Sequence, residues 1–301
     1  MPEALPEKIK RYVSHDMLFR AAIVNATHVV REMQTIQSTY PVATMAVGRS
    51  MVAASLMASQ LKPQNMISLY FRGDGPLEMF FAEASYEGEV RGYTSHPQLE
   101  VHKKLGSVNI GLAIGKGLLT VVRTTPNQKN AHRGSVEIQT GEVGDDLAFY
   151  LMQSLQTRSI VSLGVKVNAF GLVESAGGIL IELMPGAPEE LVKSLESNFA
   201  GRVSLSESLA DGATTRDICD MYLKGFNLVD LEHPYSLEYK CRCSKERLAN
   251  ALMLLGHFEV EKMIEEQEPA RAKCEFCGRQ YTLEIKELEE LLDKLRAGIS
   301  H

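Results

Sequence analysis

Several features that would place a protein in a membrane or outside the cell are missing from this sequence. The chain has no run of about 18 or more apolar residues, so we expect no membrane-spanning segment and no membrane partner. Its first residues, 1–7, include no apolar stretch of the kind that forms a secretory signal. We therefore expect a cytoplasmic protein, in a compartment where thiols are kept reduced.

Positive charge is also scarce. The formal net charge is -6, whereas nucleic-acid binding depends on clustered Lys and Arg. The segment 235–301 contains 13 acidic and 11 basic residues, so it is slightly acidic too. We expect no nucleic-acid partner, although a basic stripe on one face of a zinc ribbon stays an open alternative.

Motifs for common catalytic chemistries are absent as well. The glycines of Gly111–Gly117 match neither a phosphate-binding loop nor a dinucleotide fingerprint. The run Gly48-Arg49-Ser50-Met51-Val52 lacks the second glycine of a nucleophile elbow. We therefore predict that the protein is not an enzyme, with no catalytic residue and no organic cofactor.

The remaining composition is that of a globular protein, and its pattern predicts an α+β fold. Among the 301 residues, 45% are hydrophobic and 23% charged. In a mixed α/β core domain, 1–185, we predict a buried helix at 41–61 and another that starts at Asp145 and Asp146. Strands are predicted at 66–71, 77–84, 90–94, 118–124 and 136–140, with two more in 160–184 that are broken near 169–171 and at Gly177–Gly178.

The pattern changes after residue 185. Three short amphipathic helices are predicted at 188–199, 203–210 and 214–224, separated by glycine and polar residues. We interpret 186–234 as a helical connector, a metastable linker that is less stable than the core. The last segment, 235–301, is predicted to be a small zinc-binding module that ends in a charged helix at 283–295.

Four of the five cysteines lie in that module, in two close pairs. Cys241 and Cys243 are separated by one residue, and 30 residues further on Cys274 and Cys277 are separated by two. Four thiolates in two pairs are typical of a four-cysteine zinc site, so we predict one Zn²⁺ per chain. Three alternatives to a redox-sensitive zinc site stay open: a purely structural zinc, four cysteines without a metal, and a thiol oxidoreductase that uses the Cys-x-x-Cys pair.

The surroundings of the two pairs favour redox chemistry. Basic residues flank both pairs and are expected to favour thiolate, the species that binds zinc and reacts with oxidants: Lys240, Arg242, Lys245, Arg247, Arg271, Lys273 and Arg279. Each pair is close enough in sequence to form its own disulfide, Cys241–Cys243 and Cys274–Cys277. Cys219 lies apart among apolar residues, and we predict that it is a buried small hydrophobe rather than a ligand.

Beyond the cysteines, three core motifs complete a resemblance that covers nearly the whole chain. The sequence resembles the 33 kDa chaperonin family, the redox-regulated heat-shock chaperones of bacteria. The segments that carry the resemblance are Cys241–Arg247 and Cys274–Gly278 in the module, and Arg72–Leu77, Gly144–Thr157 and Ala176–Ala187 in the core. The segment Met1–Ile9 is longer than is typical of the family.

The resemblance implies an ATP-independent holdase that protects unfolding proteins from aggregation during oxidative stress. Its reduced form would be inactive and would bind zinc through Cys241, Cys243, Cys274 and Cys277. Oxidation would form the disulfides Cys241–Cys243 and Cys274–Cys277, release the zinc, and unfold the module and then the connector. The oxidised form would be a homodimer that binds unfolded client proteins.

Overall fold

A computed structural model describes residues 8–100, 109–126 and 131–299, with side chains as far as Arg296. Residues 1–7 of the longer N-terminal segment lie outside this described part. The chain divides into two compact units, Met1–Lys240 and Cys241–His301.

A five-stranded sheet organises one side of the first unit. Its order is β10-β1-β2-β9-β8, and every pair of neighbours is antiparallel. The strands are β1 (Lys10–Ser14), β2 (Phe19–Asn25), β8 (Ser159–Val167), β9 (Val173–Leu183) and β10 (Leu228–Leu231). The central strands β2 and β9 are buried almost throughout, so this sheet needs apolar cover on both faces.

A second sheet has six strands in the order β11-β5-β4-β3-β6-β7. Its strands are β3 (Met66–Gly73), β4 (Met79–Ser85), β5 (Glu89–Thr94), β6 (Gly117–Thr124), β7 (His132–Glu137) and β11 (Glu238–Tyr239). Only β11 is parallel to its neighbour, through a two-residue pairing with β5. The predicted strands at 66–71, 77–84, 90–94 and 118–124 correspond to β3 to β6 within a few residues.

The helices of the first unit lie between and beside these sheets. They are α1 (Thr27–Gln37), α2 (Pro41–Ser59), α3 (Ile110–Ile114), α4 (Val143–Leu155), α5 (Glu189–Phe199), α6 (Leu205–Ala210) and α7 (Thr215–Tyr222). Helix α2 packs against strands of both sheets, which explains why it is apolar on all sides. The predicted buried helix at 41–61 is therefore confirmed.

Helix α2 also has the length and composition of a membrane span. Within the described residues it is the one helix that is long and apolar enough to cross a membrane. However, 89% of its most apolar 18-residue segment is buried inside the protein. Its single charged residue, Arg49, forms an ion pair with Glu142. A buried core helix accounts for these observations.

Two strand predictions need correction. The predicted strand at 136–140 is right only at Val136 and Glu137. Strand β7 begins earlier, at His132, and ends at Glu137, because the backbone N–H groups of Gln139, Thr140 and Gly141 donate to the buried Asp146 carboxylate instead. The predicted break at Gly177–Gly178 is also wrong. Strand β9 continues through both glycines, because their backbone pairs with β2 on one side and with β8 on the other. The sheet is so tightly covered there that a Cβ on Gly178 would lie 2.8 Å from both Val52 and Leu163.

The connector helices match their predicted positions at 188–199, 203–210 and 214–224. Helices α6 and α7 each begin with a capping box, Ser204 with Glu207 and Thr214 with Asp217. The three helices pack on one face of the five-stranded sheet and form a second apolar cluster with it: Phe19, Ile23, Ile179, Ile181, Leu191, Leu195, Leu205, Leu209, Ile218 and Tyr222.

The second unit is small. It contains α8 (Lys245–Leu255), α9 (His257–Glu265), the hairpin strands β12 (Ala270–Lys273) and β13 (Gln280–Leu283), and α10 (Ile285–Ile299). The terminal helix α10 starts two residues later than predicted and extends to residue 299. Segments 186–234 and 235–240 both belong to the first unit. The division into core, connector and module therefore remains a prediction about which segments unfold first.

The close packing at Gly178 generates a stability prediction. We expect Gly178→Ala to lower the free energy of unfolding by about 1–3 kcal/mol, because the added methyl group overpacks the contact with Val52 and Leu163. Urea unfolding of the reduced protein, followed by circular dichroism, measures the change. Gly144→Ala is the matched control, since a Cβ there meets only ordinary contacts at 3.5 Å or more. Equal stability of the two variants would contradict the conclusion that close packing requires a glycine at position 178.

Candidate metal centre

The first cysteine pair lies in the short segment between β11 and α8. Helix α8 begins at Lys245, and the Ser244 side chain caps it by accepting a hydrogen bond from the backbone N–H of Arg247. A Ser at the N-cap satisfies one of the helix's free N–H groups. The local sequence thus starts the helix directly after Ser244 and leaves Cys241 and Cys243 in non-helical backbone.

The second pair lies in the turn of the β12–β13 hairpin. The backbone N–H of Cys274 donates to the carbonyl of Arg279 at 2.9 Å, and that of Gly278 donates to the carbonyl of Cys274 at 2.8 Å. Gly278 has a φ of +67°, a left-handed conformation that glycine adopts without steric cost. This turn holds Cys274 and Cys277 together, as the glycine after the pair suggested.

The structure brings all four cysteines to one place. Their Sγ atoms all lie within 4.8 Å of one another. The shortest separations connect the two pairs, 3.5 Å from Cys241 to Cys274 and 3.3 Å from Cys243 to Cys277. All four side chains are partly buried. Such a group can hold a metal ion.

Tyr281 is a member of this site that the sequence pattern did not reveal. Its hydroxyl lies 3.1 Å from both the Sγ and the carbonyl oxygen of Cys243. Tyr281 reaches the thiols because strand β13 folds back beside β12. A tyrosine four residues after a cysteine carries no local signal of that contact.

Three of these thiols, those of Cys241, Cys243 and Cys277, differ in pKa when considered without a metal. Burial raises the pKa of Cys241 to about 12 and also raises the pKa of Cys277. Partial burial opposes ionisation of Cys243, but hydrogen bonds from Tyr281 and the neighbouring thiols outweigh it and lower the pKa of Cys243 to about 7. Cys243 is therefore the thiol that ionises most easily among these three.

The expectation that basic neighbours favour all four thiolates is only partly right. Lys245 forms an ion pair with Glu287, and Lys240 forms one with Glu89. Arg279 does face the site, since the pKa of its guanidinium is raised by a hydrogen bond with Tyr281 and by the charges of Cys243 and Cys277. Hydrogen bonds within the cluster thus contribute more to the lowered pKa of Cys243 than the flanking lysines do.

Cys219 is separate from this group, as predicted. It lies on α7, is 3% exposed, and packs in the second apolar cluster of the first unit. Burial raises the pKa of its thiol, and the nearby Asp220 adds to that shift. Among the described residues, the metal-capable group comprises the other four cysteines.

The structure also bears on two catalytic interpretations of the sequence, a thiol oxidoreductase and a serine nucleophile. Cys274 and Cys277 occupy a hairpin turn rather than the first turn of a helix, where a catalytic Cys-x-x-Cys pair is expected. Ser50 is fully buried within α2 and donates to the carbonyl of Ala46, so it is not placed as a nucleophile.

Comparisons with known proteins identify relatives along nearly the whole chain. The family model described as Hsp33 protein matches residues 7–284. A 33 kDa chaperonin of Desulforamulus reducens is 38% identical over 97% of this chain and 99% of its own length. A 33 kDa chaperonin of Bacillus pumilus is 36% identical over 94% and 97%.

A solved structure has the same fold. The crystal structure of the 33 kDa chaperonin from Thermotoga maritima superimposes with a TM-score of 0.83 and is 29% identical in sequence. The match covers 95% of this chain and 98% of that one.

The geometry of the four thiols predicts that the reduced protein binds one metal ion per chain. We expect Cys→Ala at position 241, 243, 274 or 277 to weaken metal binding about tenfold or more, because a ligand is lost. Cys219→Ala is the matched control and should leave metal content unchanged. Elemental analysis after dialysis measures the metal content of each variant. Retention of the metal by all four single variants would contradict the assignment of these cysteines as ligands.

Proposed function

Because this chain belongs to the Hsp33 family of chaperones, we propose that it is a redox-regulated, ATP-independent holdase. Reduced, it holds zinc and is inactive; oxidised, it binds unfolding proteins and prevents their aggregation. The observation that carries this proposal is the convergence of four thiols in a unit with little apolar core of its own.

Zinc is the metal that this donor set fits best. Thiolates are soft ligands, and four of them in a tetrahedron are typical of a structural Zn²⁺. Zn–S bonds of about 2.3 Å place the sulfurs of such a tetrahedron about 3.8 Å apart. The Sγ separations of 3.3 and 3.5 Å, with all pairs within 4.8 Å, need only small shifts to reach it. The ligands we propose are Cys241, Cys243, Cys274 and Cys277.

Loss of the metal is expected to unfold the second unit. The unit contains about 60 residues, and a chain of that size rarely gains more than about 3–5 kcal/mol from its core alone. Its buried cluster is correspondingly small: Leu252, Val260, Ala270, Leu283, Leu288, Leu291 and Leu292. A structural zinc contributes about 10–16 kcal/mol of apparent binding free energy near neutral pH, which exceeds what that core supplies.

Peroxide is an oxidant that would drive the change. The four thiolates lose four electrons and form two disulfides, while two peroxide molecules accept those electrons together with four protons from the solvent and leave as four water molecules. Once their sulfurs are in disulfides, the cysteines no longer offer thiolates to a metal. Oxidation of the sulfurs is thus coupled to metal loss and, through it, to unfolding.

We propose that the disulfides are Cys241–Cys243 and Cys274–Cys277, although the shortest sulfur separations lie between the pairs. The cross-pair partners are 33 and 34 residues apart. In an unfolded chain, closing a loop of that length costs about 2 kcal/mol more than closing one of a few residues, apart from the strain of very short rings. We therefore propose that oxidation of the first sulfur of each pair releases the metal and unfolds the unit, and that the second sulfur then reacts in the unfolded chain.

The connector provides a way to expose an apolar surface. Helices of 11, 6 and 8 residues are marginal in isolation and depend on tertiary packing. Removal of α5 to α7 would uncover one face of the five-stranded sheet, including Phe19, Ile23, Ile179, Ile181 and Leu183. We propose that unfolding clients bind this sheet face, because large exposed apolar patches on soluble proteins are interaction sites.

The same proposal includes the cellular setting. A cytoplasmic location keeps the four thiols reduced until stress occurs. The partners are unfolded client proteins, and the active oxidised form is proposed to be a homodimer. No residue has a catalytic role in this scheme, and neither a nucleic acid nor a membrane takes part.

The switch can be tested by measuring zinc release and client protection together. Peroxide at elevated temperature should release about one zinc ion per chain, and light scattering of a heat-unfolded test enzyme should be suppressed only by the oxidised protein. Cys219→Ala should behave like the natural sequence, since Cys219 is not a ligand. If zinc stays bound, or if reduced and oxidised protein protect equally, the site is structural and there is no redox switch.

Disulfide mapping tests the order of events. Oxidised protein is alkylated, digested and analysed by mass spectrometry, and we expect peptides linked as Cys241–Cys243 and Cys274–Cys277. Brief oxidation at low temperature, where the unit stays folded, provides the comparison. Disulfides Cys241–Cys274 and Cys243–Cys277 would show that the sulfurs react in the folded arrangement, contrary to the proposed order.

A further inference from the structure

A cavity of about 610 Å³ lies in the first unit, away from the four cysteines. It is formed where α2 ends, between the two sheets and beside the second half of α4. Its apolar walls come from Met57, Ile67, Val121, Leu151 and Leu180, which are buried. A volume of this size is within the range of small-molecule sites, which are mostly apolar with a few polar groups.

The side chains at its mouth are cationic, although the chain as a whole is acidic. Arg20 is neutralised by Glu182 through hydrogen bonds of 2.8 and 3.0 Å. Lys62 and Arg123 are exposed, line the same cavity, and have no carboxylate within ion-pair distance among the described residues. Arg123 is on the same face of β6 as Val121, since side chains alternate along a strand. The mouth therefore favours an anion.

Two polar side chains lie in the wall. Tyr150 lines the cavity and is only 6% exposed. The carboxamide of Gln60 is buried, and neither of its polar atoms has a hydrogen-bond partner within the described part of the chain. Buried polar groups are normally satisfied, so the Gln60 carboxamide is suited to a polar group of a ligand, and the Tyr150 hydroxyl is a second group that can hydrogen-bond one. Gly134 makes room for Tyr150, because a Cβ there would lie 3.1 Å from the hydroxyl.

We propose that this cavity binds a free amphipathic monocarboxylate of the fatty-acid class. Its carboxylate would lie at the mouth near Lys62 and Arg123, within reach of Tyr150 or Gln60. Its alkyl chain would lie along Met57, Ile67, Val121, Leu151 and Leu180. An apolar interior with a cationic entrance disfavours both a neutral hydrocarbon and a fully hydrophilic anion. The site is independent of the cysteines and of the proposed holdase function.

The test is isothermal titration calorimetry of the reduced, metal-loaded full-length protein with monomeric laurate. We expect saturable binding of one laurate per chain. The double variant Lys62→Gln/Arg123→Gln should bind about tenfold more weakly, because it removes charge-assisted contacts. Tyr150→Phe, which keeps the ring, should bind about fivefold more weakly. Dodecanol, the uncharged analogue, should bind more weakly than laurate to the natural protein.

A charge-matched control separates the cavity from general electrostatic attraction. Arg72→Gln/Lys193→Gln removes the same charge from exposed positions outside the cavity and should bind laurate like the natural protein. The proposal is overturned if laurate does not saturate or if the two double variants lose equal affinity. Binding only to vesicles of anionic lipid, with none to monomeric laurate, would also overturn it by indicating a membrane surface instead.

Discussion

Burial of strands β2 and β9 on both faces is the constraint on which the first unit depends. Side chains alternate along a strand, so Ala22, Val24 and Leu180 face the cluster around α2, whereas Phe19, Ile23 and Ile181 face the connector helices. A strand that is apolar on both faces is stable in water only while both faces are covered. The α2 side is covered by a helix of 19 residues with little exposed surface, and the other side by three short helices.

That asymmetry gives the proposed switch a physical basis. The helix α2 lies between two sheets and can be removed only by unfolding the core. Helices α5 to α7 lie on one surface of one sheet, so in the proposed switch they would leave before the core unfolds, and a bound client would then cover the exposed face. The apolar face beneath them combines aromatic and branched side chains, including Phe19, Ile179 and Leu183. The same residues that stabilise the resting fold would then form the client-binding surface.

The second unit depends on a different interaction. The seven buried residues of its described apolar cluster cannot supply the stability that a larger core gives. Its cysteines converge from the segment that precedes α8 and from a hairpin turn. A metal that connects these two segments would contribute both stability and sensitivity to oxidants, because the ligands are thiolates. Tyr281 and Arg279 adjust the acidity of this cluster from within the same hairpin.

Local sequence determined the features whose signals lie within a few residues of one another. The three connector helices follow from their apolar periodicity and capping residues, and the two cysteine pairs with Gly278 predict a metal-binding turn. Only the tertiary structure decided that Gly177–Gly178 continue a strand, that Thr140 donates to Asp146 rather than extending β7, and that Tyr281 reaches Cys243. The strands β1, β2 and β10, which the sequence did not predict, form their sheet by pairings such as Tyr12 with Asp230 and Phe19 with Leu183. Such pairings join residues more than 150 positions apart, where no short-range pattern records the partner.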